Sequence, residues 1–362
     1  MSNPCRVAIV GATGIAGQQF VVALQRHPWF TISRLAASAR SAGKKYAEAL
    51  LDAGTGARRW WCEDEPPPHV LDMKVEDGDI FDASSVDVVF SATESDVAQV
   101  QEARFAKTTP VISTASAFRY EADVPLLLPN VNMDHAALIS VQQKSRGWSG
   151  FVAPIPNCTV TGLAITLKPL LDRFGLESAV VSTMQGLSGA GRSPGVIGLD
   201  VLDNIVPFIP KEEEKVEREL AKMFGSLAGS AIQPHSAVVS ATCTRANVIE
   251  GHTESVFASL GAKTSVEQVK SALRDSRNQA HELKLPSAPE QWIRVHDDPF
   301  RPQPRLDRNN GAGMTTTVGR VREDKVLKNG IKYILVSHNT RMGAAAGAVL
   351  VAEWLKSEGH IK

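Results

Sequence analysis

Short apolar runs alternate with longer amphipathic ones through the first third of the chain. Residues 5–10, Cys-Arg-Val-Ala-Ile-Val, are nearly all apolar, as a strand covered on both faces of a parallel sheet requires. A glycine-rich turn follows at 11–17, and the apolar spacing then predicts a helix over 15–26, stopped by His27-Pro28. A second strand is predicted over 32–37, and further strands over 86–91 and 110–114 with a crossover helix over 96–107. This is the order of a mononucleotide-binding unit. The stretch 60–69, with three consecutive prolines, reads as a surface excursion.

The pattern changes at Phe151. A short strand leads to Pro156-Asn157-Cys158, and Val160, Leu163, Ala164, Leu167, Leu170, Leu171 and Phe174 then recur at helical offsets. β-rich runs follow at 177–185, 237–245, 252–260 and 315–321, separated by charged amphipathic segments. A last small-residue-rich helix is predicted over 343–356, of a kind that packs closely on another layer. The expected class is α/β. A Rossmann-type dinucleotide-binding domain spans 1–157, an α+β domain spans 158–340, and 341–362 returns to the first domain.

Composition narrows the function. The 362 residues suffice for about two domains, and 43% hydrophobic content rules out a disordered chain. With 39 basic and 39 acidic residues there is no global pull toward nucleic acid or an anionic membrane, so neither is expected as a partner. The apolar stretch near 344–352 is shorter than the about 18 residues a membrane span needs. No signal-peptide pattern opens the chain, and the cytoplasm is the expected compartment. The widely spaced Cys5, Cys62, Cys158 and Cys243 form no Cys-x-x-Cys pair, and the histidines lack metal-ligand spacing, so no metal is expected.

Candidate chemistry sits at two places. The turn with Gly11, Gly14 and Gly17 follows a strand and opens a helix, so its amides can face a pyrophosphate. Gly11, Thr13, Gly14, Ile15, Ala16 and Gly17, with Thr93 beyond the strand at 86–91, are the expected cofactor contacts. The second strand ends in Ser38-Ala39-Arg40-Ser41 rather than in a carboxylate. A guanidinium flanked by hydroxyls suits a 2′-phosphate, so the expected cofactor is NADP. Cys158 opens a helix, where the dipole and free amides favour a thiolate, and a thiol pKa below the usual about 8.5 is expected. His252, just after a glycine at the start of a strand, is the best candidate base. The glycine-rich loop 185–195 is suited to close ligand approach. Glu212 and Lys215, three apart on a charged helix, share a side.

These residues carry a resemblance to the aspartate-semialdehyde dehydrogenases, in particular their fungal and archaeal branch. The chain is similar to that family in Gly11-Ala-Thr-Gly, 38–44, Ser113-Thr-Ala-Ser-Ala-Phe-Arg119, Pro129-Asn-Val-Asn, Pro156-Asn-Cys-Thr, Gln185 with Ser188-Gly-Ala-Gly, 200–207, 212–215, Arg245 with Glu250-Gly-His252, and His338-Asn-Thr340. The resemblance implies that Cys158 accepts the acyl group and His252 is the acid/base. It implies that Arg245 clamps the substrate α-carboxylate, Glu212 pairs with its amino group, and Gln185 orients it. Arg119 and Lys215 would hold phosphate, and Asn339, Ser188 and Gly189 would lie along the nicotinamide. It also implies a homodimer or homotetramer through the second domain. Two departures stand out: Ala246-Asn247 replaces the family's usual Val-Pro, and 60–69 matches no family motif.

The implied reaction makes chemical sense of these residues. A thiolate displaces phosphate from aspartyl phosphate, the thioester takes hydride, and aspartate semialdehyde is released. Amides near Asn157 and Cys158 would stabilise the oxyanion. N-acetylglutamyl-phosphate reductase and malonyl-CoA reductase share this layout, but Glu212 argues for a free α-ammonium. A non-catalytic NADP-binding sensor is the alternative of another class, and the presence of both Cys158 and His252 speaks against it.

Overall fold

The structure, a computed structural model, describes residues 4–191 and 198–362. Its first layer is a parallel sheet built from β1 (Cys5–Val10), β2 (Phe30–Ala37), β3 (Val75–Asp77), β4 (Val88–Ser91), β5 (Val111–Ser113) and β6 (Val152–Pro154). The spatial order is β3-β2-β1-β4-β5-β6, with every pair parallel. The order reverses between β1 and β4, which opens a crevice at their carboxyl ends. Val7, Ile9, Val88 and Phe90 are fully buried, which explains why these strands read as continuous apolar runs. The first helix, Ile15–Leu24, ends two residues earlier than the spacing predicts, and the crossover helix is Ser95–Phe105.

The second sheet is mixed. After β7 (Leu176–Gln185) come a small hairpin, β8 (Ser226–Ala228) with β9 (Ala231–Gln233), then β10 (Val238–Arg245), β11 (His252–Leu260), β12 (Ile293–Val295), β13 (Thr316–Glu323) and β14 (Gly330–Ser337). The six-stranded order is β10-β7-β11-β14-β13-β12. The sequence reading lacked β14, which lies near the middle of this sheet. One face is covered by the helix Cys158–Phe174 and by the helices Glu212–Met223 and Val266–Arg274 packed against it. The other face presents Val180 and Val238, 46% and 69% exposed.

The C-terminal helix, Ala345–Ser357, packs on the Ile15–Leu24 helix, and its Glu353 meets His27 at 2.6 Å. Small residues permit that approach: Ala345, Gly347, Ala348 and Ala352 are all buried in it. Among the described residues, no helix is long and apolar enough to cross a membrane. The 60–69 segment corrects the reading of a surface excursion. Glu63, Asp64 and Glu65 are exposed, but Trp60, Trp61 and Cys62 are half-buried, and the Trp61 indole donates to Glu250 in the second domain at 3.3 Å.

Candidate active site

Four strands of the second sheet end in one row. Arg245 pairs with Gln185 across β10 and β7, and His252 pairs with Ser337 across β11 and β14. Thr253 lies opposite Met184, which sets His252 beside Gln185. Residues paired in register point to the same face, and here that is the face covered by the Cys158–Phe174 helix. Arg245, Gln185, His252 and Ser337 are all buried.

The helix delivers its first residue onto this row. Asn157 caps it, accepting the Thr159 N–H at 2.9 Å and the Val160 N–H at 3.4 Å. Cys158 Sγ then lies 3.1 Å from His252 Nε2. The Gly186 N–H donates to His252 Nδ1 at 3.1 Å. With Nδ1 accepting, the neutral ring carries its proton on Nε2 and meets the sulfur as a donor. Acting as a base would require the ring to give up the Gly186 bond.

The electrostatics correct the expectation of a lowered thiol pKa. Burial, seconded by Glu212, pushes the Cys158 thiol up to about 12, against the opposing pull of Arg245, Lys215 and Arg119. Desolvation penalises the anion more than these cations favour it. Burial and the Arg245 charge also push His252 down to about 3. With no ligand bound, both groups are therefore neutral near pH 7.

Two glycines leave room around the sulfur. A Cβ on Gly343 would stand 2.9 Å from the Cys158 Cβ, and one on Gly189 would stand 3.1 Å from Arg245 Nη1 and 3.3 Å from His252 Cε1. Arg245 is held by a 2.7 Å bond from Nη1 to the Gly186 carbonyl. Asn339 donates to Ser188 Oγ at 2.7 Å and accepts the Gly251 N–H at 2.8 Å. At the Ala246-Asn247 departure the backbone stays in register, because the Ala246 N–H donates to the Gln185 carbonyl at 3.0 Å.

Behind the sulfur stand two buried carboxylates. Glu212 accepts from Asn157 Nδ2 at 2.8 Å and from Lys215 Nζ at 3.2 Å. Burial works against its charge, but Lys215 and the Asn157 bond outweigh it and hold the carboxyl below its ordinary range. Glu219, fully buried, accepts Arg119 Nη1 at 2.9 Å and the Asn157 backbone N–H at 2.7 Å. Sequence reasoning missed Glu219. The signal was its distance from Glu212, two helical turns along the same face. Arg119 also donates from Nη2 to the Thr114 carbonyl at 2.8 Å, and its Nε is buried with no hydrogen-bond partner among the described residues.

The cofactor candidates gather on the edge of the first sheet. Gly11 has φ +84°, and a Cβ there would meet the Ala92 carbonyl oxygen at 2.4 Å; at Gly17 it would meet the Gly11 oxygen at 2.2 Å. Gly14, the exposed N-cap of the Ile15–Leu24 helix, has only the Gly11 oxygen near it, at 3.5 Å, so its outer side is open to a phosphate. Thr13 and Ala16 are half-buried beside it and Ile15 is buried. Thr93 packs its methyl against Gly11 across the crevice. Ser38 and Arg40 are exposed just past β2, with Ser41 folded back on Ser38 at 2.9 Å. Residues 192–195 of the glycine-rich loop lie outside the described residues.

Known proteins share this sequence and this fold. Residues 6–139 match the family described as semialdehyde dehydrogenase, NAD binding domain, and 167–342 match semialdehyde dehydrogenase, dimerisation domain. The chain is 45% identical to the aspartate-semialdehyde dehydrogenase of Methanothermobacter thermautotrophicus, over 96% of this chain and 97% of the relative. It is 40% identical to that of Saccharomyces cerevisiae, over 98% of each. Among solved structures, the aspartate-semialdehyde dehydrogenase of Candida albicans with NADP superposes with a TM-score of 0.88 at 40% identity, covering 99% of this chain and 100% of that one. The Vibrio cholerae enzyme II complexed with ASA superposes with a TM-score of 0.77 at 27% identity, over 99% and 100% of the two chains. By its sequence over nearly the full length and by the fold that carries it, the chain belongs to the aspartate-semialdehyde dehydrogenase family.

Proposed function

We propose that this chain reduces L-aspartyl 4-phosphate to L-aspartate 4-semialdehyde at the expense of NADPH, releasing inorganic phosphate, on the route to threonine, methionine and lysine. The observation that carries this reading is the 3.1 Å contact of Cys158 Sγ with His252 Nε2, within reach of the charges of both Arg245 and Glu212. NADPH would supply the hydride when bound, and the residues that would hold it are the 11–17 turn, Thr93, Ser38, Arg40 and Ser41 at one end and Ser188, Gly189 and Asn339 at the other. The fit rests on the open side of Gly14 and the exposed Arg40 cation at the end of β2.

Arg245 takes the α-carboxylate of the substrate and Glu212 its ammonium, which together turn the β-acyl carbon toward the sulfur. Gln185 orients the substrate from the sheet edge. Arg119 and Lys215 receive the phosphate, Arg119 through the Nε edge that Glu219 leaves unpaired. As the C–S bond forms, the acyl C–O bond to the phosphate breaks and the thiol proton leaves on the departing phosphate. The His252 Nε2–H stabilises the charge on sulfur as the thiol gives up its proton, and again when the C–S bond of the thiohemiacetal breaks to release the aldehyde. Amides at the helix start stabilise the oxyanion, a contribution of about 3 kcal/mol per donor in such sites.

The open face of the second sheet, with the exposed apolar residues that follow β7 in sequence, is assigned to a second copy of the chain. Val180 and Val238 expose 46% and 69% of their surface, and Leu202, Ile205 and Phe208 each more than half. The family description of 167–342 as a dimerisation domain supports this assignment. We place the reaction in the cytosol, a compartment that suits four free thiols.

The deciding assay follows NADP reduction with aspartate semialdehyde and phosphate, against the one-carbon-longer semialdehyde. A preference of at least about 10² in kcat/KM is expected, since Arg245 and Glu212 fix both ends of a short substrate. Equal rates with the longer homologue, or preference for an N-acetylated one, would overturn the substrate assignment. Light scattering should give a dimer or tetramer, and Val238→Asp should shift it toward monomer.

A further inference from the structure

We propose that Glu250 is a positioning residue through which the cofactor-binding turn fixes the place of His252, with Trp61, Gln18 and Gln19 as the connection. The proposal rests on the assignment of NADP to the 11–17 turn and of proton chemistry to His252.

Gln18 and Gln19 are consecutive on the helix that opens at the glycine turn, and both are buried. A polar side chain is buried at little cost only when its groups are bonded, and these two are bonded along two routes. Gln18 Nε2 donates to the carbonyls of Thr13, inside the turn, and Arg59, at 3.0 and 2.9 Å. Its Oε1 accepts the Trp61 backbone N–H at 2.6 Å, and the Trp61 indole N–H donates to Glu250 Oε1 at 3.3 Å. Gln19 Nε2 donates to Thr340 Oγ1 at 3.3 Å, and Thr340 Oγ1 donates to the same Glu250 oxygen at 2.6 Å. Both routes leave the first sheet's domain and end on one atom of the second.

From Glu250 the path to His252 is two residues of backbone held on both sides. The Glu250 carbonyl accepts from Arg308 at 3.2 Å, and the Gly251 N–H donates to Asn339 Oδ1 at 2.8 Å. Gly251 has φ +93°, and a Cβ there would press on the Arg308 side chain at 3.1 Å. The segment therefore has little freedom except that set by Glu250, and a shift of Glu250 is passed to the imidazole. The same connection gives the 60–62 segment a task that its lack of any family motif leaves unassigned.

The test compares Glu250→Ala, Glu250→Gln and Trp61→Phe in the full chain. Glu250→Ala should lower kcat by about 30- to 100-fold, the cost of a misplaced catalytic group, while the NADP Kd from fluorescence titration stays within about threefold. Glu250→Gln keeps the accepting oxygen and should recover most of the loss. Trp61→Phe should lower kcat less, and should add nothing on the Glu250→Ala background. In ¹⁵N NMR, adding 2′-phospho-ADP-ribose, which brings the pyrophosphate to the turn but carries no nicotinamide to touch the ring, should move the His252 ring signals in the wild type and leave them in place in Glu250→Ala. A kcat within twofold of wild type, a Kd that rises as much as kcat falls, or losses that multiply would overturn the proposal. If Glu250→Ala fails to fold, Trp61→Phe decides alone: unchanged kcat and an unchanged NMR response refute the link. A wild-type chain inactive with aspartate semialdehyde refutes the reaction instead, and the NMR response still decides the link.

Discussion

The two sheets carry their candidate chemistry at the same place, the ends of strands, and build it from different material. On the first sheet the edge is mostly backbone: a turn whose glycines are demanded by 2.4 and 2.2 Å approaches, and exposed Ser38 and Arg40 beyond it. On the second, the edge is a row of buried side chains that hold one another, from Arg245 through Gln185 to His252, with Cys158 lowered onto it. A backbone edge offers amides to a ligand whatever side chains surround it, so substitutions there should show as affinity. A side-chain row fixes reacting atoms to within tenths of an ångström, so substitutions there should show as rate.

The strongest way to break this contrast is at the sulfur. Cys158→Ala should lower kcat by about 10⁴ or more and leave the NADP Kd unchanged, as judged by fluorescence titration. Iodoacetamide should label Cys158 with loss of activity, and substrate should protect it. Because burial pushes this thiol up to about 12, its alkylation rate in the free enzyme should rise about tenfold per pH unit from 7 to 9. A plateau below pH 8 would mean that the helix terminus outweighs burial after all.

Arg245→Lys comes next. The arginine is buried and already gives Nη1 to the Gly186 carbonyl, so as the proposed carboxylate clamp its planar fork would serve backbone and substrate together. An ammonium cannot do both. Steady-state kinetics should show kcat/KM down by about 10² to 10³, with kcat falling as well. A variant that raised only KM would place Arg245 with the affinity edge and blur the contrast.

The same contrast explains what was legible in the sequence. The glycine turn, its flanking strand and helix, and Ser38 to Ser41 are contiguous, so periodicity and turn chemistry exposed them. Cys158 was legible because Pro-Asn-Cys announces a helix start. His252 had only a preceding glycine to recommend it, and its partner is 94 positions away. Glu219 and Glu250 were not legible as site residues: one reads as a solvated helix face and the other as part of a loop, and only tertiary packing buries the first and aims donors at the second. β14 escaped because Lys332 interrupts its apolar run, although Ile331, Tyr333 and Leu335 are buried. The direction of the Cys158 shift was misread because a helix terminus is visible in sequence and the depth of burial is not.

Arg40→Ala sharpens the other half of the comparison. Its exposed guanidinium would pair with a 2′-phosphate, and a bond to a charged group is worth about 1.5 kcal/mol or more. KM for NADP should rise about tenfold, KM for NAD should hardly move, and kcat should be kept. Equal effects on both nucleotides would remove Arg40 from the cofactor edge.

The smallest expected effect tests whether the buried row costs stability that the exposed edge does not. Glu254 lies on β11 two residues beyond His252 and on the same face, fully buried, with neither carboxyl oxygen bonded among the described residues. Burial, with Glu212 nearby, pushes its carboxyl well above the unfolded value of 4.5. The folded state therefore binds this proton more tightly than the unfolded chain does. Stability from that preference is complete below pH 4.5 and is lost as pH rises toward the folded pKa. Glu254→Gln has no proton to lose, so its melting temperature should exceed that of wild type, with a gap that widens from pH 5 to pH 8. A gain of about 2 °C per kcal/mol is the scale for a chain this long, and thermal melts at matched ionic strength measure it. A gap of the same size at both pH values would mean that the Glu254 carboxyl titrates normally, and the second sheet would then bury its row without that cost.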